Sequence, residues 1–291
     1  MQYPLTHHYV LTNGLRLHVV QAGPADGPLV VLLHGFPEYW ASWRAQLATL
    51  AAAGYRVWAP DQRGYNLSDK PLGIAAYALP ILAADIIGLL DAAGVAQASI
   101  IGHDWGGIVA WYLAAHYPGR VARTTIINVP HPAVVLPNLW RVPGQLARSW
   151  YIGFFQLPGL PERLIRRRNW RFGAQALQGT SRPGTFSAAE VARYKVAWAQ
   201  PGALTAMLNW YRALRVPSGA PWPRIRGAVQ IIWGEQDAFL DARLAQLSLR
   251  ACAHGQLHYF PNATHWVQLE EAEAVNDLLL TFLAQPLPAT N

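Results

Sequence analysis

A carboxylate set among small residues is the feature of this chain best suited to chemistry. In Ile100-Ile101-Gly102-His103-Asp104-Trp105-Gly106-Gly107, glycines stand two residues before Asp104 and two and three residues after it. The stretch joins an apolar run that reads as a buried strand to a segment that reads as a helix. A sharp strand-to-helix turn strains its central residue, tolerates only small neighbours, and pushes that one side chain out into a cleft. A carboxylate presented there needs no base to become a nucleophile; it attacks saturated carbon and becomes an ester. Aspartate is also a good helix cap, but capping alone does not call for the flanking glycines.

An ester on Asp104 must then be hydrolysed, which calls for a base that works near neutrality, most naturally histidine. Among ten histidines, His265 in Asn262-Ala263-Thr264-His265-Trp266 follows the last expected strand. An acid that accepts the imidazole N–H and fixes its tautomer should follow an earlier strand. The segment Ile231-Ile232-Trp233-Gly234-Glu235-Gln236-Asp237 offers Glu235 and Asp237, with Asp241 just beyond. A third stretch, Leu33-His34-Gly35-Phe36-Pro37-Glu38, follows the third expected strand. Backbone N–H groups of Phe36 and Trp105 are expected to meet on one oxygen and stabilise the charge that develops as water attacks the ester. His34 should hold this loop, and Glu38 should sit on a solvated loop or at the start of a helix.

These residues need a scaffold, and the pattern around them supplies one. Tyr9–Thr12, Asn13-Gly14 and Leu15–Gln21 read as a hairpin. Leu29–Leu33 is continuously apolar, as in a strand covered on both faces. A helix is expected from about Trp40 to Ala53, a strand at Tyr55–Ala59, a helix at Leu79–Ala93, a strand at Ala98–Ile101, a helix at Ile108–His116 and a strand at Val121–Val129. The alternation implies an α/β fold with a parallel sheet between helices. It breaks at Pro130-His131-Pro132 and resumes with Val229–Trp233, a helix near Asp241–Cys252, a strand at Gln256–Phe260 and a helix at about Glu270–Ala284. The intervening region, to about Trp222, is rich in Trp, Arg, Pro and Gly and has no convincing strand, so a helical insertion is expected there.

Composition narrows the class. The chain has 291 residues, 52% hydrophobic and 13% charged, enough to bury a large core and too apolar for disorder. Its thirteen tryptophans suit an apolar cavity. The net charge of +7 comes from arginine, since Lys70 and Lys195 are the only lysines. No nucleic-acid motif accompanies the one local cluster, Arg163, Arg166, Arg167, Arg168 and Arg171, which reads as a solvated helix face; no nucleic-acid partner is expected. Cys252 is the only cysteine, which excludes an intramolecular disulfide and a cysteine-based zinc site and fits a cytoplasmic protein. Met1–Val10 lacks the pattern of a signal peptide. The apolar stretch Ile81–Val95 contains Asp85 and Asp91 and is too short to span a membrane.

His34-Gly35-Phe36-Pro37-Glu38 and Gly102-His103-Asp104-Trp105-Gly106-Gly107 resemble the signatures of the epoxide hydrolases of the α/β-hydrolase fold, and the resemblance covers nearly the whole chain. It implies a mostly parallel, doubly wound sheet, with a core at 1–131 and 223–291 and a helical cap at 132–222. It selects Asp237 among the acids by its distance from the strand end, and the order Asp104, Asp237, His265 is the one this fold uses. It further implies two cap tyrosines that hydrogen-bond the epoxide oxygen. Tyr151 in Trp150-Tyr151-Ile152-Gly153-Phe154-Phe155-Gln156 and Tyr211 in Leu208-Asn209-Trp210-Tyr211-Arg212 match them. Epoxide opening leaves an alkoxide, and two phenols aimed at it would quench its charge. A cis bond before Pro37 is implied as well, and His34, Pro37, Trp105, Trp210 and Trp266 are expected against the substrate.

The reaction so implied converts a small hydrophobic epoxide and water into a vicinal diol, without metal or organic cofactor. Haloalkane dehalogenases share the fold and the aspartate, and Trp105 fits their halide-binding tryptophan. They usually place asparagine or another halide donor where this chain has Phe36, and a halide leaving group needs no tyrosine pair. Fluoroacetate-type dehalogenases carry an arginine where Trp105 stands. A non-catalytic receptor on the same scaffold would have no need of Asp104, Asp237 and His265 together. A monomer and a homodimer both fit the sequence, and the Arg163–Arg171 cluster matches nothing in the family pattern.

Overall fold

The computed structural model describes residues 3–138, 141–216 and 221–287. The first two strands, β1 (Thr6–Thr12) and β2 (Leu15–Ala22), pair antiparallel across Asn13 and Gly14. Both turn residues have positive φ, +45° and +76°, as a two-residue turn matched to strand twist requires. The remaining strands are β3 (Leu29–Leu33), β4 (Arg56–Pro60), β5 (Ala98–His103), β6 (Val121–Ile127), β7 (Ile225–Gly234) and β8 (Cys252–Phe260). They form one eight-stranded sheet in the order β1-β2-β4-β3-β5-β6-β7-β8, parallel from β4 to β8.

Successive residues of the central strands serve opposite layers. Val31 and Leu33 of β3 and Ile100 of β5 pack with α2 (Leu79–Ala92) and α3 (Trp105–His116). Val30, Leu32 and Ile101 pack with α1 (Arg44–Ala52) and a late helix, Ala272–Ala284. Burial on both faces explains why β3 is apolar at every position. Most expected elements lie within a few residues of those observed, and the differences have local causes. Trp40–Trp43 is a 3-10 turn that precedes α1. The helix after Asp104 begins at once, with Trp105, three residues earlier than its apolar pattern suggested, because its first turn is Trp-Gly-Gly.

Between β6 and β7 the described chain is helical: α4 (Pro132–Asn138), α5 (Gln145–Arg148), α6 (Trp150–Phe155), α7 (Leu160–Gly179), α8 (Ala188–Trp198) and α9 (Ala203–Arg212). Helix α7 is broken inside, where Arg167 is extended and Arg168, Asn169 and Trp170 are left-handed. Helix α8 opens with a capping box between Ser187 and Glu190. After β7 come α10 (Arg243–Leu249), α11 (Val267–Glu270) and α12 (Ala272–Ala284); α12 is the expected last helix, and the short α11 just before it was not expected. The end of the expected insertion falls next to 217–220, which lie outside the described residues. Among the described residues no helix is long and apolar enough to cross a membrane.

The strand order places the site. From β3 the chain moves to β4 on one side and then to β5 on the other, so the connections leaving β3 and β5 diverge. In an open parallel sheet, such a reversal opens a crevice at the carboxyl ends of the two strands. Here those ends are the Gly35-Phe36 loop and Asp104.

Candidate active site

Asp104 occupies the tight bend between β5 and α3 with φ +49° and ψ −120°, a backbone conformation that L-residues rarely adopt. The bend persists because the glycines packed around it, Gly35, Gly102 and Gly106, carry no side chains. A Cβ on Gly102 would lie 2.3 Å from the Gly106 carbonyl oxygen, and one on Gly106 would lie 2.1 Å from that of Leu33. A Cβ on Gly35 would sit 2.5 Å from the Cβ of Asp104 itself. The loop after β3 is thereby pressed against the aspartate, and the Phe36 N–H donates to Asp104 Oδ1 at 2.8 Å. The Trp105 N–H reaches the same carboxylate. Both expected backbone donors therefore lie beside the Asp104 carboxylate. The Phe36–Pro37 peptide is cis.

His265, in the loop between β8 and α11, turns its ring into the same crevice. Its Nδ1 lies 2.7 Å from Asp237 Oδ2, and its Nε2 stands 3.8 Å from Asp104 Oδ2. Asp237 is the acid that meets the imidazole. Asp241 is engaged by Arg243 instead. The second Asp237 oxygen accepts the N–H groups of Phe239 and Leu240 at 2.7 and 3.0 Å. Asn128, just past β6 with φ +47°, donates to Asp237 Oδ2 at 2.8 Å and also exchanges hydrogen bonds with Gly234. Sequence reasoning missed Asn128. Its signal was an amide directly after the apolar run of β6, at a strand end where asparagine tolerates a left-handed backbone.

Two further buried groups were also missed. Glu38, expected in solvent, is buried: its carboxylate accepts from the Gly35 N–H at 2.7 Å, pairs with His103 Nδ1 at 2.7 Å and accepts from Gln268 Nε2 at 3.1 Å. The correction follows from the close packing of Gly35 on Asp104, which brings the loop against the bend and sets Glu38 over His103. His103 Nε2 lies 2.9 Å from the backbone oxygen of His265. Since a carboxylate and a carbonyl face its two nitrogens, this ring ties the loop after β3 to the loop that carries His265.

The charges are shaped by burial and by each other. Burial pushes the Asp104 carboxyl above the usual carboxylate range, opposed by His265 and His103 and by the two backbone donors. Burial acts upward on Asp237 too, but the facing His265 and the Asn128 donor outweigh it and hold it low. For His265 burial alone would favour the neutral ring; the charges and hydrogen bond of Asp237, with Asp104 and Glu38 behind, raise it to about 9.

A cavity of about 630 Å³ opens over Asp104 and His265. Tyr151 of α6 and Tyr211 of α9 both line it, with ring centroids 5.9 Å apart. Burial, followed by the nearby Asp104 charge, pushes both phenols well above their ordinary range, so they stay protonated donors. Pro37 and Trp266 also line the cavity. Three residues expected against a substrate do not. His34 is fully buried behind the loop, where it accepts the Gln62 N–H at 3.0 Å. Trp210 donates to the Arg63 carbonyl at 3.0 Å, and the Trp105 ring props Tyr211 edge-on at 5.1 Å. Their aromatic size signalled a pocket wall, but the helix directions turn them into the layer behind it. The wall instead comes from Phe36, Phe155, Leu177, Trp198, Met207 and Phe239, with other residues of α5 to α7.

The architecture and its relatives agree. Residues 28–272 match the alpha/beta hydrolase fold family. The chain is 49% identical over 276 residues to AB hydrolase superfamily protein YfhM of Bacillus subtilis (strain 168), covering 94% of this chain and 96% of that protein. It is 37% identical over 289 residues to Epoxide hydrolase 4 of Mus musculus, covering 96% of this chain and 80% of the other. Among solved structures, Epoxide Hydrolase A from Mycobacterium thermoresistibile superposes with a TM-score of 0.83 at 31% identity, covering 99% of this chain and all of that one. A Bacillus megaterium epoxide hydrolase in complex with an inhibitor gives 0.85 at 28%, covering 96% of this chain and all of the other.

Proposed function

The chain belongs to the α/β-hydrolase fold family, and on that premise we propose that it hydrolyses epoxides to vicinal diols, with Asp104 as nucleophile. One observation carries the reading: a carboxylate, rather than a hydroxyl, stands at the bend between two backbone donors and a histidine, with two tyrosines across the cavity. The epoxide hydrolases among its relatives support the same reaction.

In the first step Asp104 Oδ2 attacks an epoxide carbon, and the ring C–O bond breaks. The oxygen takes a proton from Tyr151 or Tyr211, whose positions against the cavity suit them to donate to it. Asp104 Oδ1, already held by the Phe36 N–H, becomes the ester carbonyl oxygen. In the second step water attacks that carbonyl carbon and gives its proton to His265 Nε2. The negative charge falls on Oδ1, where the Phe36 and Trp105 N–H groups stabilise it. Collapse expels the diol and regenerates the carboxylate, and the proton returns from His265 to the phenolate through solvent.

The raised His265 fits this order. While Asp104 is anionic, its charge helps to hold the imidazole protonated. Esterification removes that charge and lowers the His265 value, so the ring gives its proton to solvent and stands neutral when a base is needed. The helices between β6 and β7 act in this reading as a cap that supplies both tyrosines. The apolar cavity wall favours a hydrophobic substrate. The single buried thiol of Cys252 supports a cytoplasmic setting.

Dehalogenation is the less favoured alternative, since Phe36 packs its ring against Phe155 and Tyr211 and offers no side-chain donor to a halide. A panel of epoxides and haloalkanes, read as diol formation against halide release, tests the proposal. Single turnover in heavy-oxygen water should then label Asp104 before the diol. Halide release without diol, or label in the diol alone, would overturn it.

A further inference from the structure

The arginines of α7 lie on the same part of the molecule as the cavity rim. From residue 146 to residue 180 the chain carries six arginines and one acid, Glu162, which Arg212 already engages at 2.8 Å. Arg163, Arg166, Arg167, Arg168 and Arg171 are all exposed, and none pairs with a carboxylate among the described residues. The break inside α7 contributes to this. In an unbroken helix Arg168 and Asn169 would fall on the face of buried Ile165, whereas the left-handed stretch leaves both exposed.

Large apolar side chains are exposed among these charges. Leu157, Leu160 and Leu164 are exposed, and Trp150 and Phe172 are 61% and 44% exposed while lining the cavity. An exposed indole and phenyl ring at a cavity rim, next to leucines and arginines, is the composition of a surface that sits in the headgroup region of a bilayer. We infer that this face of α5–α7 docks on an anionic phospholipid bilayer and turns the mouth of the cavity toward it. A second copy of the chain suits the face less well, because a two-fold contact through it would bring two arginine clusters together. The docking is independent of the proposed reaction. Its use, which is to admit an apolar epoxide directly from the membrane, rests on that reading.

The full chain should be sedimented at low salt with phosphatidylcholine vesicles and with vesicles in which phosphatidylglycerol replaces about a third of the lipid, a charge density at which basic residues bind. Binding is expected to the second only, and to weaken with salt. The triple variant Arg163→Gln/Arg166→Gln/Arg167→Gln should lower the partition coefficient by about a hundredfold, since each basic residue near such a surface contributes several-fold. Its thermal unfolding and its turnover of a water-soluble epoxide should be unchanged. Leu160→Ser/Leu164→Ser, which keeps the charge, should weaken binding and leave its salt dependence unchanged. The inference fails if the wild-type chain stays in the supernatant with anionic vesicles. It fails equally if the triple variant binds as the wild type does, or if ultracentrifugation shows the face occupied by a second copy. Vesicle binding without diol formation would uphold the docking and count against the proposed reaction.

Discussion

His265 Nε2 stands 3.8 Å from Asp104 Oδ2, beyond hydrogen-bond reach, while its other nitrogen is held at 2.7 Å by Asp237. The imidazole is thus fixed from behind and faces the carboxylate across a gap wide enough for a water molecule to bond to both. A base placed in this way serves a bound ester better than it would serve a hydroxyl nucleophile in direct contact.

Removal of the base should leave the first step intact. In His265→Gln, diol formation is expected to fall by about 10²- to 10⁴-fold. Intact-mass spectrometry after mixing with an epoxide should show a protein heavier by one substrate, with the adduct mapping to Asp104. An unmodified mass under conditions that saturate the wild type would argue against covalent catalysis.

The charge of Asp104 should be visible in the titration of His265. In Asp104→Asn, a neutral substitute for the ester, the imidazole should titrate below the value of about 9 in the parent protein. Histidine-labelled NMR across the alkaline range measures this directly. An unchanged midpoint would sever the proposed coupling.

The same raised value sets a pH dependence of stability. The His265 value in the fold, about 9, exceeds its ordinary 6.5, so the folded state binds the proton more tightly. Its stabilisation is fully present below pH 6.5 and is lost as pH rises through about 9. Denaturant unfolding of the wild type and His265→Gln should therefore give a stability difference that narrows between those two values. A gap that widened with pH would show the sign to be wrong.

The tyrosine pair should act on ring opening alone. Tyr151→Phe and Tyr211→Phe are each expected to slow alkylation by about 10²- to 10³-fold, in the range for loss of one donor to a developing oxyanion. The double variant should be inactive on epoxides. Rapid-quench measurement of the alkyl-enzyme separates this step from hydrolysis, and full activity in the double variant would remove both residues from the mechanism.

Asn128 should act through Asp237. Loss of its 2.8 Å hydrogen bond to a buried carboxylate in Asn128→Ala is expected to cost about 1.5–3 kcal/mol of stability. It should slow ester hydrolysis more than ester formation, so that the intermediate accumulates. Equal slowing of both steps would reduce Asn128 to a strand-end contact.

The chain alone determined a good deal. Period and punctuation give the strands and most helices, because burial of β3 and β5 on both faces demands unbroken apolar runs and tight turns demand residues such as Asn13 and Gly14. The glycines around Asp104 are legible for a similar reason: the bend leaves no room for a Cβ, so the requirement is written into neighbouring positions. What the chain could not reveal depends on groups far apart in sequence. Glu38 meets His103 across 65 residues, and Asn128 meets Asp237 across 109, with no local pattern to announce either contact. Trp210 and Tyr211 are adjacent, yet one packs behind the cavity and the other lines it. The size and apolarity of Trp210 account for its burial; only the direction in which its helix presents it decides whether it is buried against substrate or against protein.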